Sequence, residues 1–189
     1  MKILSHRGYW KSVSEKNSEI AFRRSFSLKY GTETDIRDYG GKLVISHDMA
    51  TGREMDCTAF LALAGEMSVH DGEPLTLALN IKSDGLANSL AELLARHPGL
   101  DSFVFDMSVP DMRSYFEAGI PVFTRMSEVE QTPVWIDQST GVWLDGFFTE
   151  WYELSLIEHL LAADKRVCVV SPELHRRPQQ PLWNRLRPL

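Results

Sequence analysis

Short apolar runs alternate along this chain with longer segments of helical period. Strands are expected at residues 2–6, 32–37, 42–46, 75–81, 102–105, 121–124, 141–147 and 167–171. Helices are expected at 17–30, 56–63, 86–96, 109–118, 153–163 and, as a short last piece, 179–186. The 17–30 segment carries Ile20, Ala21, Phe22 and Phe26 on one face and is predicted to stop at Gly31. Asp56 is placed to cap the next helix and Gly65 to end it, and Gly119 to end the 109–118 helix. Gly40-Gly41 turns the 32–37 strand into the 42–46 strand, a hairpin pattern.

Strand, helix, strand in repetition is the pattern of a parallel sheet covered by helices. The predicted fold class is α/β, with about seven core strands beside the short 42–46 piece. Both a βα barrel of the TIM type and a doubly wound sheet fit that count. A full barrel typically needs ~250 residues, and this chain has 189. We therefore expect one domain, residues 1–189, built as a short, incomplete barrel. A missing eighth strand leaves an open edge, and bare edges invite pairing. The C-terminal segment or a second copy of the chain, a homo-oligomer, is expected to cover it.

Composition adds exclusions rather than a function. Hydrophobic residues make up 43% and charged residues 24%, which rules out a disordered or fibrous chain. The formal charge of -6 argues against a general nucleic-acid binder. No apolar run reaches the ~20 residues of a membrane span, and the polar N-terminus does not read as a signal peptide. Cys57 and Cys168 have no ligand spacing and read as reduced thiols of a cytoplasmic protein.

The chemistry-bearing residues gather at predicted strand ends, where parallel βα folds build their sites. His6-Arg7 closes the first strand, Glu33 and Asp35 lie on the second, His47-Asp48 follows the hairpin, and Asn80 and Lys82 close the fourth. Glu33 and Asp35 are two apart on a strand and so share a face. Two carboxylates facing one way suit a hard divalent cation, Mg²⁺ or Ca²⁺, although a solvated pair on a strand surface has the same spacing. His6 and His47 can exchange protons near neutrality. Arg7 offers a planar fork for phosphate oxygens, and Lys82 a compact positive charge.

Asp106, Arg125 and Asp145 also lie near strand ends and could line the cleft, although each reads first as a solvated or paired charge. Glu173 and His175 lie in a segment that reads equally as a polar turn and as a source of acid, base or phosphate groups. Trp135, Trp143 and Trp151 could form an apolar wall for a lipid or sugar but read first as packing, whereas Trp10, directly after the His6-Arg7-Gly8 turn, is better placed to touch a substrate.

His6-Arg7-Gly8, then Glu15-Lys16-Asn17-Ser18, then Glu33-Thr34-Asp35, then Gly41 through His47-Asp48, resemble the motifs of the glycerophosphodiester phosphodiesterases. Those enzymes belong to the phospholipase-C-like phosphodiesterase superfamily of βα barrels. The resemblance is specific over the first 48 residues and continues weakly to Asn80-Ile81-Lys82. It implies that His6 and His47 are the general acid and base, and that Glu33 and Asp35 are metal ligands. It also implies that Arg7 touches phosphate, that Asn17 supports the site, and that Lys82 is the lysine of the family's Glu-x-Lys. The family usually has a metal-binding Glu where this chain has Asn80, and Asn80 is taken as the third, neutral ligand.

The reaction implied is attack of a neighbouring hydroxyl of the substrate on phosphorus, followed by hydrolysis of the cyclic phosphate. The expected partner is a small glycerol- or sugar-linked phosphodiester. A second reading is a non-catalytic barrel that binds phosphate or a lipid headgroup. Asn80 and the short C-terminus favour that reading. Retention of both histidines favours the enzyme, because a binder needs no acid–base pair.

Overall fold

The computed structural model describes residues 1–68 and 73–187, and in them strands and helices alternate as the apolar pattern requires. The chain divides into two compact units, Lys2–Pro121 and Val122–Leu189, the second including Met1.

In the first unit the elements are β1 (Leu4–His6), α1 (Glu19–Ser27), β2 (Gly31–Tyr39), β3 (Lys42–Ile45), α2 (Cys57–Ser68), β4 (Thr76–Ile81), α3 (Ala87–Leu94), β5 (Asp101–Phe105) and α4 (Met112–Glu117). Strands β1, β2, β4 and β5 lie side by side in that order, all parallel, and β3 returns antiparallel along the far end of β2. Residues 31–36 of β2 and all of β4 are buried, as expected of parallel strands covered on both faces. Against the sheet, α1 and α2 bring together Phe22, Phe26 and Phe60, with the Phe22 and Phe60 rings 4.7 Å apart.

At three points the boundaries of α1 and α2 differ from the sequence expectation. Helix α1 starts only at Glu19, because Asn17 has a left-handed backbone (φ 57°) and Ser18 takes the cap, accepting from the Ala21 N–H. Gly31 is not its stop. The helix ends with Lys29 in the left-handed region (φ 60°), and Gly31 opens β2. There a Cβ would stand 2.2 Å from the Thr76 carbonyl oxygen, so strand–strand approach, not helix termination, demands the glycine. Asp56 does cap α2, accepting from the Thr58 N–H at 2.7 Å, but the helix runs through Gly65 to Ser68.

The second unit holds β6 (Phe123–Met126), β7 (Gly141–Leu144), α5 (Leu154–Ala162), β8 (Arg166–Val169) and α6 (Gln180–Leu186). Its three strands are parallel in the order β6-β7-β8. Val142, Leu144, Ile157, Leu160 and Leu182 form its core. The last segment is thus a helix that buries Leu182. β7 stops at Leu144 because the Asp145 carboxylate turns back to accept from the Gly146 N–H at 2.7 Å. With β1, β2, β4 and β5, these strands bring the parallel strands among the described residues to the expected seven.

Candidate functional site

The site is assembled by strand register. In the parallel ladders His6 pairs with Glu33, and Asp35 pairs with Asn80. Register partners on neighbouring strands point to the same side. His6, Glu33, Asp35 and Asn80 therefore share one face at the carboxyl ends of β1, β2 and β4, and Lys82, two residues on, joins them.

The turn after β1 is built to hold Arg7. Its backbone is left-handed (φ 59°), its N–H donates to the Glu33 carbonyl at 2.9 Å, and its carbonyl accepts from Asn17 N–H at 3.0 Å. Gly8 follows with φ 81°, and a Cβ there would sit 2.7 Å from that of Ala21. Only glycine lets the turn lie this close to α1.

Asp35 is fully buried and surrounded by donors. Asn17 Nδ2 donates to Oδ2 at 2.8 Å, Arg7 Nε lies 3.0 Å from Oδ2, and Lys82 Nζ lies 3.4 Å from Oδ1. Asn17 is fixed in turn by Thr34, whose hydroxyl donates to its Oδ1 at 2.9 Å. The solvated-surface reading of Glu33 and Asp35 is thereby overturned: they are 4% and 0% exposed.

Glu33 has no such escort. Its Oε2 lies 3.7 Å from His6 Nε2 and has no hydrogen-bond partner among the described residues. Burial, and then the Asp35 charge beside it, push its pKa up to about 8. His6 moves the other way, to about 4, first through burial and then through the Arg7 charge. His47 is exposed, its Nδ1 2.8 Å from Asp48 Oδ1.

Three buried oxygens on this face have no hydrogen-bond partner among the described residues: Glu33 Oε2, Asp35 Oδ1 and Asn80 Oδ1. Buried acceptors are ordinarily satisfied, and an oxygen-only donor set is what a hard divalent cation takes. Among the described residues no group of three His, Cys, Asp or Glu side chains gathers for a metal. The donors here are two carboxylates and one amide, with the Lys82 ammonium already beside Asp35.

Opposed titrations give this site a pH signature in chelator-treated protein. Below an unfolded-state value of 6.5, His6 protonates more readily in the unfolded chain, so its contribution is lost as pH falls toward about 4. Glu33 holds its proton in the folded state above 4.5, so stability is lost as pH rises toward about 8. The two oppose each other between 4.5 and 6.5. Above that window only the Glu33 loss remains. Melting temperature should fall from pH 6.5 to 8 in the wild type and stay level in Glu33→Gln; parallel curves would show that Glu33 does not titrate there.

The other candidates resolve individually. Trp10 donates from its indole to the His6 carbonyl at 3.0 Å, with Lys16 Nζ 4.7 Å above its ring. Asp106, just past β5, accepts from Asn80 Nδ2 at 3.3 Å. Of the two readings the sequence leaves for Asp106, a cleft-lining group and a solvated or paired charge, its place beside Asn80 across the β4–β5 ladder favours the first. In the second unit, Asp145 Oδ1 lies 2.7 Å from His175 Nε2, and Arg125 pairs with Glu130. Glu173 takes a short hydrogen bond from the Ser171 hydroxyl. Trp143 is buried, Trp151 packs on that unit's core, and Trp135 is 37% exposed.

Parallel sheets with intervening helices make this an α/β protein. Among solved structures it is similar to the crystal structure of glycerophosphodiester phosphodiesterase from Agrobacterium tumefaciens str. C58, with a TM-score of 0.67 and 16% identity over 89% of this chain and 86% of that one. At that identity the likeness is one of fold. No family model matches the chain, and no curated protein matches it. No helix among the described residues is long and apolar enough to cross a membrane.

Proposed function

We propose that this protein is a phosphoric diester hydrolase that cleaves a small glycerol- or sugar-linked phosphodiester, on a short βα-barrel scaffold and with a divalent cation. The observation that carries the reading is the set of three buried oxygens without a hydrogen-bond partner among the described residues, Glu33 Oε2, Asp35 Oδ1 and Asn80 Oδ1, beside a neutral imidazole at the carboxyl end of a parallel sheet. The fold likeness to a phosphodiesterase supports it.

Glu33, Asp35 and Asn80 would hold the cation. When bound, it supplies neutralisation of phosphate charge and polarisation of the attacking oxygen. Arg7 and Lys82 set positive charge around the phosphate, and Asn17 keeps Asp35 in place. His6, unprotonated at neutral pH, takes the proton from the attacking hydroxyl. His47, whose Nδ1 is engaged by Asp48, presents Nε2–H to the leaving alkoxide, which departs as the alcohol. In the second half-reaction the roles reverse: His47 takes a proton from water, and the cyclic phosphate opens as His6 returns its proton to the ring oxygen.

The test is hydrolysis of bis(p-nitrophenyl) phosphate, which needs only a water nucleophile, together with glycerophosphodiesters, after chelation and after adding back Mg²⁺ or Ca²⁺. Hydrolysis restored by either ion, and lost in Glu33→Gln, is expected. Absence of turnover on every diester, with saturable binding of inorganic phosphate retained, would replace the enzyme by the non-catalytic binder.

A further inference from the structure

Asn80 is 8% exposed, and its two amide atoms have different fates. Nδ2 lies 3.3 Å from Asp106 Oδ2, while Oδ1 is buried without a hydrogen-bond partner. The hydrogen bond to Asp106 sets the direction of that amide. An amide donates only through nitrogen, and with its NH2 donating to Asp106 the oxygen faces away from it. Away from Asp106 along the register lies Asp35, the ladder partner of Asn80, with Glu33 two residues before it on the same face. Asp106 itself is held in a left-handed backbone (φ 63°) just past the end of β5. Asp, Asn and Gly tolerate that conformation better than other residues.

We infer that Asp106 is a positioning residue that turns the Asn80 carbonyl oxygen toward Glu33 and Asp35, and so supplies the third oxygen for a divalent cation. This rests on the cation reading proposed above. It gives the neutral amide at position 80 a specific orienting partner on the next strand. Asp106 would act on the cation only through the amide it holds. An outer partner of this kind sets the direction and basicity of a ligand, and its loss typically weakens metal binding ~10–100-fold.

The experiment is calorimetric titration of the full chain with Mg²⁺ and with Ca²⁺, alongside melting temperature. Asp106→Gly removes the acceptor at a backbone angle that glycine tolerates, and should weaken the cation ~10–100-fold. Asp106→Asn keeps an acceptor oxygen for the Asn80 NH2 and should recover most of that loss. In an Asn80→Ala background, Asp106→Gly should have no further effect, because its action passes through Asn80.

Wild-type affinity in Asp106→Gly, an equal loss in the Asn80→Ala background, or no rescue by Asp106→Asn would each overturn the inference while leaving the cation reading intact. Wild-type protein with no saturable binding of either ion overturns both. One measurement needs no Asp106 variant. The Asn80 side-chain amide signal in ¹⁵N-labelled protein, assigned by its absence from Asn80→Ala, should shift on saturation with Ca²⁺. A signal that stays put under saturating Ca²⁺ overturns the inference.

Discussion

His6→Ala is expected to lower turnover by ~10²–10⁴-fold, the usual contribution of one positioned proton-transfer group, with the fold retained. His6 closes β1, so its truncation removes no strand pairing. The shifted titration makes its role readable apart from its presence. A base whose pKa is about 4 stays competent well below neutrality, so the acid limb of the rate profile should lie near that value and not near 6.5. His47→Ala should cost a similar factor, and the double variant far less than the product of the singles, since the two act as one unit. The assay is diester hydrolysis across pH 3–9, with circular dichroism as the check on folding. An unchanged rate in either single variant would remove that histidine from the chemistry.

Asp35→Ala is expected to destabilise the protein by roughly 3–5 kcal/mol, the range for removing one partner of a buried ion pair. Asp35 is fully buried and is approached by Arg7, Lys82 and Asn17. Its loss leaves two cations and an amide donor facing a vacated, poorly solvated space. The Arg7 and Lys82 side chains keep 19% and 20% exposure, so water can relieve part of the penalty and the lower end of the range is the firmer expectation. Urea unfolding of both proteins at neutral pH measures it. A loss below about 1 kcal/mol, the level of a surface ion pair, would mean that solvent and not Asp35 satisfies those cations.

The same pairing shows why the site was partly legible in the chain. Glu33 and Asp35 could be placed on one face because alternation along a strand is a local property. Their burial could not, since the neighbouring threonines suit a half-exposed strand as well as a buried one. Gly31 shows the converse error. It follows a helical segment and so resembles a helix stop, but the atom that excludes a Cβ is the Thr76 carbonyl oxygen of another strand. Nothing near Gly31 in the chain announces that contact.

What the sequence determined by itself is therefore what depends on near neighbours. It determined the alternation of strands and helices, the β2–β3 hairpin, the helix cap at Asp56, and the gathering of His6, Arg7, Glu33, Asp35, Asn80 and Lys82 at strand ends. Tertiary structure alone decided which of these meet. Register set His6 beside Glu33 and Asp35 beside Asn80. Burial moved the pKa values of Glu33 and His6 in opposite directions. Strand order brought Asp106 to the Asn80 amide. The physical reason is range: dihedral preference and side-chain period act within a few residues, whereas desolvation and strand pairing depend on segments that only the folded chain brings together.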